Sequence, residues 1–312
     1  MEITRFDEMV AAAVQVGPVA VAVAAAHDPE VLRAVDRAQR EGNVRENLVG
    51  DWTAIEEDAE QTGKEQAGMA VIHEPDTRLA ARRVVGMARE GETGVVVKGQ
   101  IKTADLLGQV LNREVGIRGR GLLSHVGIFE LPGMDRLIYL SDSGVVVYPD
   151  VYQKLEIINN VVAVARFFGL AEPKVAILAA SEPVHPKIPA SIDALALSKM
   201  AEQGWVEGAL VDGPLGLELA ISPRAAAVEE SDSPIAGLAD VLIVPNVEAG
   251  NIVAKGLLYF AHARMAGLVV GARSPAGGAQ VPVVISSRAD SAETRYLSLA
   301  MAALLANRPL PG

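Results

Sequence analysis

Val281-Pro282-Val283-Val284-Ile285-Ser286-Ser287-Arg288-Ala289-Asp290-Ser291-Ala292-Glu293-Thr294 changes character half-way. Its first five residues are apolar without alternation, the mark of a strand buried on both faces. Its second half is polar and opens the last helix, predicted from Ser291 to Ala306. A strand whose C-terminal end leads directly into a helix is the repeating unit of a parallel α/β sheet. Such junctions are where these sheets bind ligands. Free backbone amides and the helix dipole favour an anion there. Ser287 adds a hydroxyl donor, and Arg288 a charged fork suited to phosphate or a developing oxyanion. The same residues also serve as an ordinary helix start, with Asp290 or Ser291 as cap and Glu293 or Thr294 completing a box-like arrangement. Capping alone gives Arg288 no role.

Outward from this stretch the same alternation continues. Apolar runs at Pro18–Ala25, Met69–His73, Gly94–Val97, Lys174–Leu178, Val206–Val211, Val241–Val244 and Leu268–Val270 read as strands. Between them, helices are predicted from Asp28 to Arg40, Arg78 to Arg89, Thr103 to Leu111, Ser191 to Gln203 and Gly250 to Arg264. Leu123–Phe129 and Leu137–Leu140, joined through Pro132 and Gly133, read instead as a hairpin. A domain boundary is expected near Val146 to Asp150.

The chain has 312 residues, enough for about two domains. Half of it is apolar, which rules out intrinsic disorder. There is no cysteine, so neither a thiolate metal site nor a cysteine nucleophile is available. With 28 basic and 39 acidic residues the net charge is −11, and no basic run or stacking motif offsets it; nucleic acid is not an expected partner. No apolar stretch approaches the roughly 20 residues of a membrane span. Glu2, Asp7 and Glu8 make the start unlike a signal peptide, so a cytoplasmic protein is expected.

Three further junctions carry polar residues. Val97-Lys98-Gly99-Gln100-Ile101-Lys102-Thr103 joins a strand to a helix, with Thr103 as a potential cap and Lys98 and Lys102 as potential phosphate ligands. It lacks the spacing of a P-loop, and solvated lysines beside a cap describe it equally well. In Asn246–Lys255, Asn251 and Lys255 stand four apart and share a helix face, and Gly250 permits close approach of a ligand to the backbone. A helix start with a surface lysine is the plainer reading. Asp212, in Val211-Asp212-Gly213-Pro214, ends a strand and either lines a cleft or builds a turn. The five histidines are scattered without ligand spacing, so no metal site is expected, and His125 reads as a structural histidine. There is neither a G-x-S-x-G elbow nor a dinucleotide fingerprint.

Taken in order, these stretches resemble the phosphate acetyl/butyryl transferase family, most closely its butyryl branch. The residues that carry the resemblance are Val97-Lys98-Gly99 with Thr103-Ala104-Asp105, Leu210–Pro214, Pro245-Asn246 with Gly250-Asn251-Ile252 and Lys255, and Val281–Val283 with Ser287–Thr294. The resemblance implies an α/β protein of two three-layer α/β/α domains with a cleft between them, similar to isocitrate/isopropylmalate dehydrogenases, assembled as a homodimer. It divides the chain into residues 1–146 plus 286–312 and residues 147–285. It implies reversible acyl transfer between coenzyme A and inorganic phosphate, with coenzyme A as substrate and no cofactor or metal in the chemistry. Carried over by position, Arg288 stabilises charge and Ser287 donates a hydrogen bond. Asn251, Lys255 and Asp212 are implied to line the substrate site, and Lys98 and Thr103 to stand on the other domain. In the acetyl branch a base carboxylate stands six positions after the arginine. That position is Thr294 here, leaving Asp290 and Glu293 as candidate bases. The acyl chain length is open. Three other readings stay beside this one: a non-catalytic phosphate or acyl-coenzyme A binding protein; a β-decarboxylating dehydrogenase, whose metal-binding carboxylates and nicotinamide site are not found; and a subunit or fusion-derived partner of an enoyl-coenzyme A hydratase, a domain that does not fit within these 312 residues.

Overall fold

The structure, a computed structural model, describes residues 2–65, 68–119, 121–307 and 310. The elements run α1 (Phe6–Val16), β1 (Val19–Ala24), α2 (Pro29–Arg40), β2 (Val44–Gly50), α3 (Trp52–Thr62), β3 (Val71–His73), α4 (Thr77–Glu90), β4 (Val95–Lys98) and α5 (Thr103–Val110). Then come β5 (Ser124–Glu130), β6 (Leu137–Ser141), α6 (Val151–Phe167), β7 (Lys174–Leu178), α7 (Pro189–Glu202), β8 (Leu210–Leu215), α8 (Leu217–Ile221), α9 (Pro223–Val228), β9 (Val241–Ile243) and α10 (Val247–Tyr259). The chain ends with β10 (Arg264–Val270), β11 (Val283–Val284) and α11 (Ala292–Asn307). They form two α/β units. One comprises Phe6–Arg120 and Ala266–Pro309, the other Gly121–Met265 with the two chain ends.

In the first unit the strand order is β3-β2-β1-β4-β11-β10. All neighbours are parallel except β10 and β11. The sequence dictates the βα junctions through aspartate. Asp28, Asp51 and Asp76 each follow a strand and cap the next helix, accepting amide bonds from Glu30 and Val31, from Ala54, and from Arg78 and Leu79. The crossovers β1–β2 and β2–β3 step one way along the sheet, and β3–β4 steps back. Right-handed connections therefore put α2 and α3 on one face and α4 on the other, where it packs with α5. The reversal makes the β1/β4 boundary the topological switch point, the expected ligand crevice of such a sheet. Helix α11 packs on α1, α2 and the strands, and Arg295 to Leu305 are buried without interruption. A helix enclosed on every side shows little amphipathic pattern, as its sequence does not.

In the second unit the order is β5-β6-β9-β7-β8. β5 and β6 form the expected antiparallel hairpin, with Gly127 opposite Leu140, and the other pairs are parallel. Side chains alternate across the sheet: Leu140, Ala176, Leu178, Leu242 and Val244 join a buried cluster with Leu219, Ala220 and Ala254 from α8 and α10. Helices α6 and α7 pack together, and α6 lies on β6 and β9.

Several expectations shift. The chain changes unit at 120/121 and 265/266, not near 146 and 286. The reason is pairing: β6 bonds to β9, so the hairpin joins the second sheet, while β10 and β11 complete the first. β8 begins at Leu210 instead of Val206, and α10 begins at Val247 instead of Gly250. Asn246 supplies the cap of α10 by accepting the Ala249 amide at 2.9 Å. Helices α1, α3, α6, α8 and α9 and strand β2 were not expected. β2 hides because Arg45, Glu46 and Asn47 interrupt its apolar run; Glu46 is nonetheless buried, against Lys64 at 2.9 Å.

Candidate active site

Three loops leave the first sheet at the C-terminal ends of β1, β4 and β11. The register Ala24↔Lys98 and Val284↔Val97 brings them side by side. Gly99 makes the approach possible. Its amide bonds to the Ala24 carbonyl at 2.9 Å and the next amide, Gln100, to Ala25 at 2.7 Å. A Cβ at residue 99 would stand 2.1 Å from the Ala25 oxygen, which no side chain tolerates. The last residue of β4, Lys98, is thereby held in the crevice. It is buried, and its Nζ donates to the carbonyls of Gly99 and Ser286 at 3.3 and 3.4 Å. Burial first, then the neighbouring Arg295 guanidinium and Arg288, hold its ammonium below the usual lysine range, against the opposing pull of Asp28 and Asp290.

Beside Lys98, residues 286–291 form a tight turn into α11. The Ser287 amide donates to Asp290 Oδ2 at 2.7 Å, and the Asp290 amide returns to the Ser287 carbonyl at 3.1 Å. Ser287 and Arg288 stand exposed at its tip. Ser291 is the cap of α11, accepting the Thr294 amide at 3.2 Å. Glu293 goes elsewhere: it pairs with Arg37 of α2 at 2.6 Å, whose guanidinium lies 3.8 Å over the Tyr296 ring. Thr103 is not the cap of α5. Lys102 occupies that position, exposed and without a side-chain capping bond.

The residue that the sequence reading passed over is Arg295. It is 4% exposed, and its guanidinium bonds to Asp28 Oδ2 at 3.0 Å and to the carbonyls of Ser287 and Asp290 at 3.2 Å each. Asp28 was legible as a cap, and it does cap α2. Its second oxygen, 267 positions away from Arg295 in sequence, carries the ion pair.

In the second unit, Asn251 and Lys255 stand on α10, Asn251 exposed and Lys255 half-buried. Gly250 serves packing, not ligand approach: a Cβ there would meet the Asp142 carbonyl at 2.7 Å and Ser143 Cα at 2.9 Å. Asp142 braces that loop, accepting the amides of His125, Gly144 and Val145 at 2.7–2.8 Å. His125 is buried with Nδ1 3.1 Å from Ser143 Oγ, as a structural histidine should be. Asp212 accepts Ser233 Oγ at 2.6 Å and the Gly213 amide at 2.8 Å, beside an open recess shared with Glu182, Glu230 and Asp232. Among the described residues no cluster of His, Asp or Glu is arranged to hold a metal ion. No helix there is long and apolar enough to cross a membrane.

One of the two α/β units thus presents, at its switch point, a buried lysine beside an exposed serine–arginine tip. The family model described as Phosphate acetyl/butaryl transferase matches residues 77–303, and the chain belongs to this family. A phosphate butyryltransferase of Clostridium acetobutylicum is 41% identical over 92% of this chain and 93% of its own. A phosphate acetyltransferase of Rhizobium meliloti is 37% identical over 98% of this chain and 94% of its own. Among solved structures, a branched-chain phosphotransacylase from Enterococcus faecalis superposes with a TM-score of 0.79 at 32% identity, over 92% of this chain and 99% of that one.

Proposed function

We propose that this chain transfers an acyl group reversibly between coenzyme A and inorganic phosphate. The observation that carries the reading is the exposed Ser287–Arg288 tip set beside buried Lys98 at the switch point, in a chain of this family. In one direction the coenzyme A thiol loses its proton and its sulfur attacks the carbonyl carbon of an acyl phosphate. The C–S bond forms, the C–O bond to phosphate breaks, and phosphate leaves with the electron pair. No protein nucleophile is required, in keeping with a chain without cysteine. What is required is anion binding and charge stabilisation, worth a few kcal/mol per donor.

We assign Arg288 to the developing negative charge and Ser287 to a hydrogen bond with it. Lys98 and Thr103 are assigned to the phosphoryl end, and Asn251, Lys255 and Asp212 to the substrate. Of the two candidate bases, Asp290 is favoured: its charge bears on Lys98, whereas Glu293 is engaged by Arg37. The reading carries with it a metal-free reaction in a cytoplasmic homodimer.

The test is thiol release from acetyl-, propionyl- and butyryl-coenzyme A, with and without phosphate. Phosphate-dependent release establishes the activity and ranks the acyl chains. Release without phosphate marks a thioesterase, and none at all marks a binding protein.

A further inference from the structure

We infer that Arg295, paired with Asp28, is a positioning residue of the transfer site, holding in place the turn that presents Ser287 and Arg288. The inference rests on the acyl-transfer reading above. The turn closes one side of itself through Ser287 and Asp290. Its outward carbonyls, at Ser287 and Asp290, both point to Arg295 and each takes an N–H from it at 3.2 Å. The third contact, from NH1 to Asp28 Oδ2 at 3.0 Å, ties that guanidinium to the loop after β1. Asp28 is itself fixed, because its other oxygen accepts the Glu30 and Val31 amides at 3.0 and 3.2 Å. One buried carboxylate and one buried guanidinium thus lock together the start of α2, the turn after β11 and the body of α11. A planar fork spans two carbonyls and a carboxylate at once, which the single ammonium of a lysine cannot.

The arrangement also sets charge. The groups that bear on Lys98 are Arg295 from α11, Asp28 from the β1–α2 junction, and Arg288 and Asp290 from the turn. With Lys98 they make three cations against two anions. Asp28 pairs with Arg295 inside the protein at 3.0 Å and Asp290 accepts the Ser287 amide at 2.7 Å, which leaves the group one positive charge in excess. Arg295 is therefore a scaffold that costs the site no charge, and Arg288 stays available to an anion.

Two variants test this in the intact protein. R295K keeps a cation opposite Asp28 but not the fork. It is expected to hold its thermal midpoint within a few degrees, keep the KM for coenzyme A, and lose about tenfold or more in kcat, the scale of a misplaced reacting group. Wild-type kcat and phosphate KM in a folded R295K overturn the proposal. D28N keeps the α2 cap, since asparagine caps as well as aspartate. It removes a charge that favours the Lys98 ammonium, so the alkaline rise of the phosphate KM moves to lower pH. D28N also releases the end of the fork that ties Arg295 to the loop after β1, so a folded D28N with wild-type kcat overturns the proposal even if R295K fails to fold. If the wild-type protein releases no thiol with phosphate, the transfer reading fails by itself. Titration calorimetry with inorganic phosphate then decides the positioning role, and R295K binding phosphate as tightly as wild type overturns it.

Discussion

Replacing Gly99 by alanine adds one methyl group at the narrowest point of the site. The new Cβ stands 2.1 Å from the Ala25 oxygen and 2.7 Å from the Ala24 oxygen, both backbone atoms of β1 or the residue after it. Neither can rotate away, so the end of β4 must move by about an ångström to reach ordinary contact. That movement breaks the bonds from the Gly99 and Gln100 amides to Ala24 and Ala25. Overpacking costs roughly 1–3 kcal/mol, and a clash between two backbones belongs at or above the top of that range. With a urea slope of about 1–3 kcal/mol/M, a loss near 3 kcal/mol moves the midpoint by about 1 M or more. Because Lys98 precedes Gly99, kcat falls with stability. The matched control is Gly108→Ala in α5, where a Cβ meets nothing within 4 Å. That change is expected to stabilise by about 0.5–1 kcal/mol through helix propensity alone. Urea unfolding of the three proteins, followed by circular dichroism, with thiol-release kinetics alongside, is the assay. A Gly99→Ala protein with the wild-type midpoint and kcat refutes the tight β1–β4 junction on which the site is built.

Arg288→Ala is expected to lower kcat about a hundredfold or more without changing the unfolding midpoint, the loss typical of one oxyanion donor. Unchanged turnover removes Arg288 from the site. Glu293→Gln is expected to keep kcat within about twofold, since the ion pair with Arg37 is half exposed and such pairs are weak; a large loss would reinstate Glu293 as the base. Lys98→Arg tests the pH dependence. Burial and Arg295 lower the Lys98 pKa, so its charge is lost on raising the pH sooner than for an ordinary lysine, and the phosphate KM rises there. An arginine stays charged and abolishes that rise. Lys64→Met strips buried Glu46 of its cation; burial already holds that carboxyl above the usual range, so the loss in urea unfolding, up to about 3–5 kcal/mol, is expected to shrink as the pH falls and Glu46 is protonated.

The α/β alternation was legible because strands covered on both faces are continuous in apolar residues, as Gly94–Val97 and Val281–Ile285 are. The Asp28 cap was legible for a local reason: Asp28 and its amide partners are two and three residues apart. Arg295 was not, because its partner is 267 residues distant and it stands inside a helix enclosed on all sides. β2 was obscured by Glu46, whose burial depends on Lys64 arriving from beyond α3. Gly250 shows the opposite error. A glycine after a strand can admit a ligand or a neighbouring loop, and only the position of Asp142 and Ser143 decides between them.

The same geometry explains why a carboxylate six places after Arg288 is dispensable to the turn. Thr294 fills that position, and its amide is taken by the cap Ser291. Each step along a helix turns a side chain by about 100°. Glu293, one step earlier, is therefore directed to α2 and Arg37, while Arg295, one step later, is directed under the turn to Asp28. Consecutive residues thus do three separate jobs: one joins helices, one completes a cap and one braces the turn. The carboxylate of the turn itself, Asp290, is spent within it, accepting the Ser287 amide at 2.7 Å.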